Sequence, residues 1–232
     1  RGLLYPSRMR YRCLILDHDD TTVQSTADIH YPSYLESMRR LRPNLEPLDI
    51  HGFLERNFHP GIVDFLTGDL GFTSDELKLE YEIWRSYTSS TVPSFFPGML
   101  ELIGDFRSRG GLVGVVSHSE EDIIEWHYRE ATGGRIRPDF IMGWQDEAEK
   151  RKPSPYPVRR VLEELSTAPE DALMVDDLKP GVTMARAAGV SVAAAGWGHE
   201  VESIAREMRE ICDVYLETVE DLRGYLFGEP SG

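Results

Sequence analysis

The feature that most constrains the fold of this chain is a run of four apolar residues, Cys13-Leu14-Ile15-Leu16, that ends abruptly in Asp17-His18-Asp19-Asp20-Thr21. The run is too short for a helix and has no polar alternation, which is the pattern of a fully buried strand. On extended backbone Asp17 and Asp19, two residues apart, project to the same side. Two anionic groups converging at the end of a buried strand repel each other. Such a pair persists when a cation lies between them or when one carboxyl keeps its proton. The alternative is a turn in which Asp19, Asp20 and Thr21 simply cap the next element.

Beyond Thr21 the periodicity becomes helical. Tyr31, Tyr34, Leu35 and Met38 fall at i, i+3, i+4 and i+7, and further helices are expected around residues 50–54 and 62–66. Thr73-Ser74-Asp75-Glu76 has capping-box spacing and opens a fourth helix through Tyr81 and Trp84. No strand is expected between about residues 28 and 91, so residues 26–93 read as an inserted all-helical unit, with a return linker rich in Ser, Pro and Phe. From there strands at 112–116, 139–142, 172–175 and 190–195 alternate with amphipathic helices, and residues 213–216 add a short edge strand. This alternation predicts an α/β fold with a parallel sheet and helices on both faces. The expected core is a Rossmann-like three-layer α/β/α domain made of residues 9–25 and 94–228, with residues 1–8 set apart as an N-terminal extension outside the fold argument.

In parallel sheets of this kind the ligand crevice lies beyond the carboxyl ends of the strands. Three of the apolar runs end there in reactive polar groups: Asp17 with Asp19, Ser117, and Asp176 with Asp177. Lys152 precedes a helix that starts on or near the same edge. Four carboxylates share a site only if a divalent cation offsets them, and carboxylates with waters are the ligands that Mg²⁺ prefers. Lys152, Ser117 and backbone N–H groups near Ser119 make a phosphate-binding set. Together these suggest phosphoryl transfer, with a carboxylate able to act as nucleophile.

The net charge of −15 argues against a nucleic-acid partner, whose phosphates demand a basic face, and leaves small anionic substrates open. Cys13 and Cys212 lack metal-type spacing. No stretch has transmembrane length or a signal-peptide pattern, so a cytoplasmic protein with no membrane partner is expected.

The order and spacing of the four clusters resemble the four motifs of the haloacid dehalogenase-like (HAD) hydrolase superfamily. Asp17-His18-Asp19-Asp20-Thr21 is similar to the first, Ser117 to the second, Lys152-Pro153-Ser154-Pro155 to the third, and Val175-Asp176-Asp177 with Gly181 and Ala188-Gly189 to the fourth. The resemblance covers nearly the whole chain from about Met9 and points to the C1-capped subgroup of phosphoglycolate phosphatases and β-phosphoglucomutases. It implies that Asp17 is the nucleophile and a Mg²⁺ ligand. Asp19 would be the general acid and then the general base, with its backbone carbonyl on the metal. Ser117 and Lys152, with His118 beside them, would bind the phosphoryl group, and Lys152 would also hold Asp17. Asp177 would complete the metal site, and Asp176 would lie close to it.

The insert resembles a helical C1 cap, with Arg56, Asn57 and His59 where related caps carry a substrate-specificity loop. Asp20 stands where glycine is usual and has no assigned role; His118 stands where asparagine is usual, and Gly181 where many members have a second aspartate. His30, His51, His127 and His199 read as surface or packing residues, and Trp197 as either a subgroup feature or core. The resemblance implies a Mg²⁺-dependent phosphatase that hydrolyses a small phosphorylated metabolite through an aspartyl phosphate, as a monomer or homodimer. Alternatives are a sugar-phosphate mutase, a phosphonatase using Lys78 for a Schiff base, and a non-catalytic phosphate-binding module. A receiver-type signalling module is disfavoured by the two aspartates on one strand and by the helical insert.

Overall fold

The expected first strand, β1 (Cys13–Leu16), has all four side chains fully buried. It is the centre of a computed structural model that describes residues 9–228; the extension expected at residues 1–8 lies outside the described residues. β1 pairs in parallel with β2 (Leu112–Val116) on one side and β4 (Ala172–Asp176) on the other. β3 (Phe140–Met142) lies beyond β2, and β5 (Ser191–Ala195) and β6 (Val214–Leu216) lie beyond β4. The order is β3-β2-β1-β4-β5-β6, with every pair parallel. The chain moves outward from β1 to β3 and then returns to the far side of β1. That reversal opens a crevice beyond the carboxyl ends of β1 and β4.

Alternation along the strands sorts the core into two halves, because successive side chains point to opposite faces. Leu14, Leu16, Val113, Val115, Leu173 and Val175 pack against α5 (Met99–Ser108), α6 (Glu121–Thr132) and α10 (Val219–Phe227). Cys13, Ile15, Ala172 and Met174 pack against α7 (Tyr156–Glu164), α8 (Lys179–Ala187) and α9 (Glu202–Ile211). The result is the three-layer α/β/α arrangement expected, and each strand lies within one residue of its expected bounds.

Between β1 and α5 the regular elements are helical among the described residues. A π-helical turn, Thr26–His30, leads into α1 (Tyr31–Leu41), followed by α2 (Ile50–Phe58). The continuous helix expected after Gly61 is instead one short turn, α3 (Ile62–Asp64), widening into π-type bonding over Phe65–Asp69, where Gly68 adds backbone freedom. α4 (Ser74–Thr88) opens on the expected capping box: the Glu76 N–H donates to Thr73 Oγ1 at 3.3 Å and the Thr73 N–H donates to Glu76 Oε2 at 2.8 Å. Arg42 ties the end of α1 to this point by donating to the carbonyls of Leu70 and Gly71 and to the Glu76 carboxylate. No helix among the described residues is long and apolar enough to cross a membrane.

The insert has a core of its own, built from Tyr34, Met38, Phe53, Phe65, Leu66 and Phe72. Phe53 stacks on Tyr34 with ring centroids 4.9 Å apart. The next residue on α2, Leu54, turns the other way and joins Phe58 in the core half that includes Val116 and Val201. α2 therefore belongs to both hydrophobic units and docks one on the other. Phe53→Ala should cost about 3–5 kcal/mol. Hydrogen exchange should show the loss as faster exchange through α1–α4 with the sheet amides nearly unchanged; uniform acceleration across the chain would contradict an independent insert core.

Candidate active site

Each strand that borders the crevice ends in a functional side chain. Asp17 follows β1, its N–H donating to the Val175 carbonyl at 2.9 Å, so the sheet ladder itself sets the position of the residue. Asp176 is the last residue of β4, and Asp177 follows it. Lys152 reaches in from the loop four residues before α7. Its Nζ lies 2.8 Å from Asp17 Oδ1 and 2.6 Å from Asp176 Oδ2, with all three residues buried. Asp176 Oδ1 accepts from the Leu178 N–H at 2.9 Å, and Asp177 Oδ1 from the Thr21 hydroxyl at 3.1 Å.

The charges in this cluster do not balance. Asp17, Asp176 and Asp177 place ligand oxygens within 4.8 Å of one another, against one ammonium. Burial pushes the Asp17 carboxyl up to about 8; Lys152 opposes the rise, and Asp176 and Asp19 add to it. Burial together with Asp176, Asp17 and Asp20 holds the Asp177 carboxyl well above the usual carboxylate range. Burial favours loss of the Lys152 proton, but Asp17 and Asp176 outweigh it and raise the ammonium above its ordinary value. Buried carboxylates short of positive charge, all offering oxygen ligands, form an acidic cluster that can hold a divalent metal ion.

Asp19 lies outside that cluster and is held by a different set of partners. Its Oδ1 is 3.0 Å from His30 Nε2, and its Oδ2 accepts from Ser117 Oγ at 3.1 Å and Ser119 Oγ at 2.6 Å. Ser117 Oγ in turn accepts from the Ser119 N–H at 2.9 Å. Burial acts to raise the Asp19 carboxyl, but His30, His18 and the Ser119 bond prevail and hold it well below its ordinary value. His30 is oriented from behind: Trp84 Nε1 donates to His30 Nδ1 at 3.1 Å, and the two rings stack with 8° between their planes. The Trp84 bond leaves Nε2 as the proton-bearing nitrogen that faces Asp19.

The sequence reading of His30 as a surface or packing residue is thus corrected. His30 touches Asp19, and the π-turn that carries it adds a residue that 3.6-residue periodicity does not anticipate. Ser119 was also missed. Its spacing of two from Ser117 carries the same signal as Asp17 and Asp19, since residues two apart on extended chain share a side. His127 is a packing residue as expected: it is buried, with Nδ1 2.9 Å from His18 Nε2.

Asp20 acquires a structural role. Its backbone is left-handed, with φ of 52°, which explains why glycine suits the position and why aspartate is among the few substitutes. Its carboxylate accepts from the Thr26 N–H at 3.0 Å and from the Thr26 hydroxyl, fastening the first turn of the insert to the end of β1. Gly181 is required by close approach: an added Cβ would stand 1.9 Å from Asp176 Oδ2, in the place of the carboxylate that anchors Lys152. Trp197 donates from Nε1 to the Thr21 carbonyl at 2.9 Å and packs on the core, so the indole braces the turn after β1.

His118 places Nε2 3.3 Å from the Lys152 carbonyl and meets the Trp144 ring edge-on. Burial pushes its imidazole down to about 4, with the Lys152 charge adding to the effect. In the insert, Arg56 pairs with Asp69 at 3.2 Å, Asn57 Nδ2 donates to the Phe53 carbonyl at 2.8 Å, and His59 is exposed. Lys78 is exposed and pairs with Asp75 at 2.8 Å.

A family model described as haloacid dehalogenase-like hydrolase matches residues 15–195. Over 114 residues the chain is 35% identical to a phosphoglycolate phosphatase of Rhodospirillum rubrum, covering 48% of this chain and 46% of that protein; the match spans about half the length of that relative. It is 25% identical over 197 residues to the pyrophosphatase PpaX of Bacillus cereus, covering 82% of this chain and 85% of that one. Among solved structures, a hydrolase of the haloacid dehalogenase-like family from Streptococcus pneumoniae superposes with a TM-score of 0.72 at 20% identity, covering 93% of this chain and 98% of that chain.

If the glycine at 181 exists to admit the Asp176 carboxylate, Gly181→Ala should weaken divalent-cation affinity by about 10-fold or more, as loss of a supporting contact around a metal does. Calorimetric titration with Mg²⁺ measures this directly, and an affinity equal to that of the unmodified protein would contradict the packing account.

Proposed function

The chain belongs to the haloacid dehalogenase-like hydrolases, and on that premise we propose that it is a Mg²⁺-dependent phosphatase that hydrolyses a small phosphorylated metabolite through an aspartyl phosphate on Asp17. The observation that carries this reading is the Lys152 ammonium lodged between Asp17 and Asp176 beside a third buried carboxylate, Asp177. Such a site has a nucleophile, a fixed positive charge for phosphoryl oxygens and oxygen ligands for a metal. Asp17, Asp177 and the Asp19 backbone carbonyl would hold Mg²⁺, with Asp176 next to it; when bound, the ion supplies charge that steadies the phosphoryl oxygens and lets Asp17 stay ionised.

The residues divide the work. Asp17 attacks phosphorus, forming an O–P bond as the bond to the leaving oxygen breaks. Lys152, fixed on Asp17 Oδ1 at 2.8 Å, keeps the nucleophile aimed and faces the transferring group. The Ser117 hydroxyl stands beside Asp19 and turns to a phosphoryl oxygen when one is present. Asp19, which its partners keep ionised in the free site, would take up a proton from solvent as the phosphoryl group draws the Ser117 hydroxyl away, give it to the leaving oxygen, and then take one from the water that attacks the aspartyl phosphate. His30 and Ser119 hold the two oxygens of Asp19 in place for both steps.

The insert acts as a cap. Asp17, Ser117, Lys152, Asp176 and Asp177 are each less than a tenth exposed, so the arrangement excludes water from the nucleophile. The cap is held down on one side by Tyr81 donating to Glu120 and by Arg85 on Glu120 and Asp122, and on the other by Ser203 donating to Glu55. Substrate admission requires those contacts to part.

Asp17→Asn should abolish Mg²⁺-dependent hydrolysis of p-nitrophenyl phosphate while circular dichroism and melting temperature stay near those of the unmodified protein; substantial residual turnover would defeat the nucleophile assignment. Chelation with EDTA should stop the reaction, and Mg²⁺ should restore it. His30→Ala should lower kcat by roughly 10²-fold through misplacement of Asp19, and steady-state kinetics with unchanged kcat would remove His30 from the site.

A further inference from the structure

His18 stands between Asp17 and Asp19 and projects away from the crevice toward α6. Its Nε2 lies 2.9 Å from His127 Nδ1, and the two buried rings stack with 21° between their planes. The His18 carbonyl accepts from the N–H groups of Thr22 at 2.9 Å and Val23 at 3.0 Å, so the turn that carries both aspartates closes on the residue that His127 grips. Tyr128, the next residue on α6, lies 5.9 Å from the His18 ring between centroids and meets Phe95 edge-on at 5.1 Å. Phe95 belongs to the return linker, which is bonded to the same turn. The Phe96 N–H donates to the Thr22 carbonyl at 3.1 Å, and the Gln24 N–H to the Ser94 carbonyl at 2.8 Å.

Stability alone does not account for this pair. A neutral imidazole carries one N–H, so whichever ring donates across the 2.9 Å contact, the two outer nitrogens, His18 Nδ1 and His127 Nε2, are left as one donor and one acceptor. Both are buried, and neither has a partner at hydrogen-bond distance among the described residues. Buried polar atoms left over in this way cost stability, and two apolar side chains of similar size would fill the space without that cost. What an apolar pair lacks is direction. A hydrogen bond sets the distance and rotation of the His18 side chain, and with them the backbone between Asp17 and Asp19.

We propose that His127 is a positioning residue for phosphoryl transfer: its bond to His18 holds the turn that places Asp17 and Asp19, from the side opposite the substrate. This rests on the phosphatase reading above and adds to it a residue that touches neither the substrate nor the metal cluster. Lys152 and His30 fix the carboxylates of Asp17 and Asp19 at 2.8 Å and 3.0 Å. His127 fixes the backbone between those two carboxylates from behind. Beyond filling space in the core, it keeps the nucleophile and the proton-transfer group aligned, an alignment in which a displacement of about 1 Å is costly.

The test measures kcat and KM for p-nitrophenyl phosphate with saturating Mg²⁺, together with melting temperature, in the unmodified protein and in His127→Leu, His127→Asn and the double variant His18→Leu/His127→Leu. His127→Leu should lower kcat by about 10-fold or more with KM little changed. His127→Asn, whose side-chain amide can occupy the place of Nδ1 and bond His18, should recover most of that loss. The double variant should be as slow as His127→Leu, because one bond is broken in both, yet melt at or above the temperature of the unmodified protein, because no outer nitrogen is left unpaired. Slow turnover in a double variant of undiminished stability separates positioning from packing. Unchanged kcat in His127→Leu, a loss that His127→Asn does not reverse, or a double variant whose kcat matches the unmodified protein overturns the proposal while leaving the phosphatase intact. Absence of Mg²⁺-dependent hydrolysis in the unmodified protein overturns both.

Discussion

The structure depends on one buried cation. The Lys152 ammonium touches Asp17 at the end of β1 and Asp176 at the end of β4, the adjacent strands between which the chain reverses direction across the sheet. Removing one member of a buried pair of this kind costs about 3–5 kcal/mol, because the remaining charge is left without compensation. Even with Lys152 in place the balance is incomplete, and the surplus of negative charge is what enables the cluster to hold a metal ion. The surrounding residues follow from that need. Gly181 makes room for the Asp176 carboxylate, and the Leu178 N–H and Thr21 hydroxyl take up the oxygens that Lys152 leaves over.

The turn after β1 links this charge cluster to the cap. Within four residues the chain places Asp17 on Lys152, Asp19 on His30 and the two serines, and Asp20 on Thr26. The first belongs to the core, the third fastens the start of the cap, and the second touches both. Asp19 thus meets its histidine partner only when the cap lies against the core, which joins closure to the positioning of the carboxylate proposed to transfer the proton. α2 supports the same geometry from a distance, with Phe53 in the cap core and Leu54 in the main core.

Much of this was legible in the sequence, and the reason is the sheet. Strands buried on both faces leave unbroken apolar runs, and a polar cluster closing each run marks the crevice, so Asp17, Ser117, Asp176 and Asp177 announced themselves. The helices of the insert followed from their 3.6-residue spacing, and Thr73 with Glu76 fixed the start of α4. What stayed hidden depends on backbone detail or on distant partners. His30 sits in a π-turn whose extra residue shifts the facing of the side chain, and its partners Asp19 and Trp84 lie 11 residues before it and 54 after it. The purpose of Asp20 depends on a left-handed φ, and that of Gly181 on a contact with a carboxylate five residues earlier that only the β4–α8 geometry creates.

The central claim is that Asp17 itself carries the phosphoryl group during turnover. The most direct measurement is rapid acid quench of the enzyme with a ³²P-labelled phosphate ester and Mg²⁺, followed by borohydride reduction of the trapped acyl phosphate and peptide mapping. Reduction of an acyl phosphate to an alcohol at position 17, with label present before reduction, is the result this account predicts. A phosphorylated Ser117, a reduced Asp19 or Asp176, or turnover with no labelled protein would contradict it.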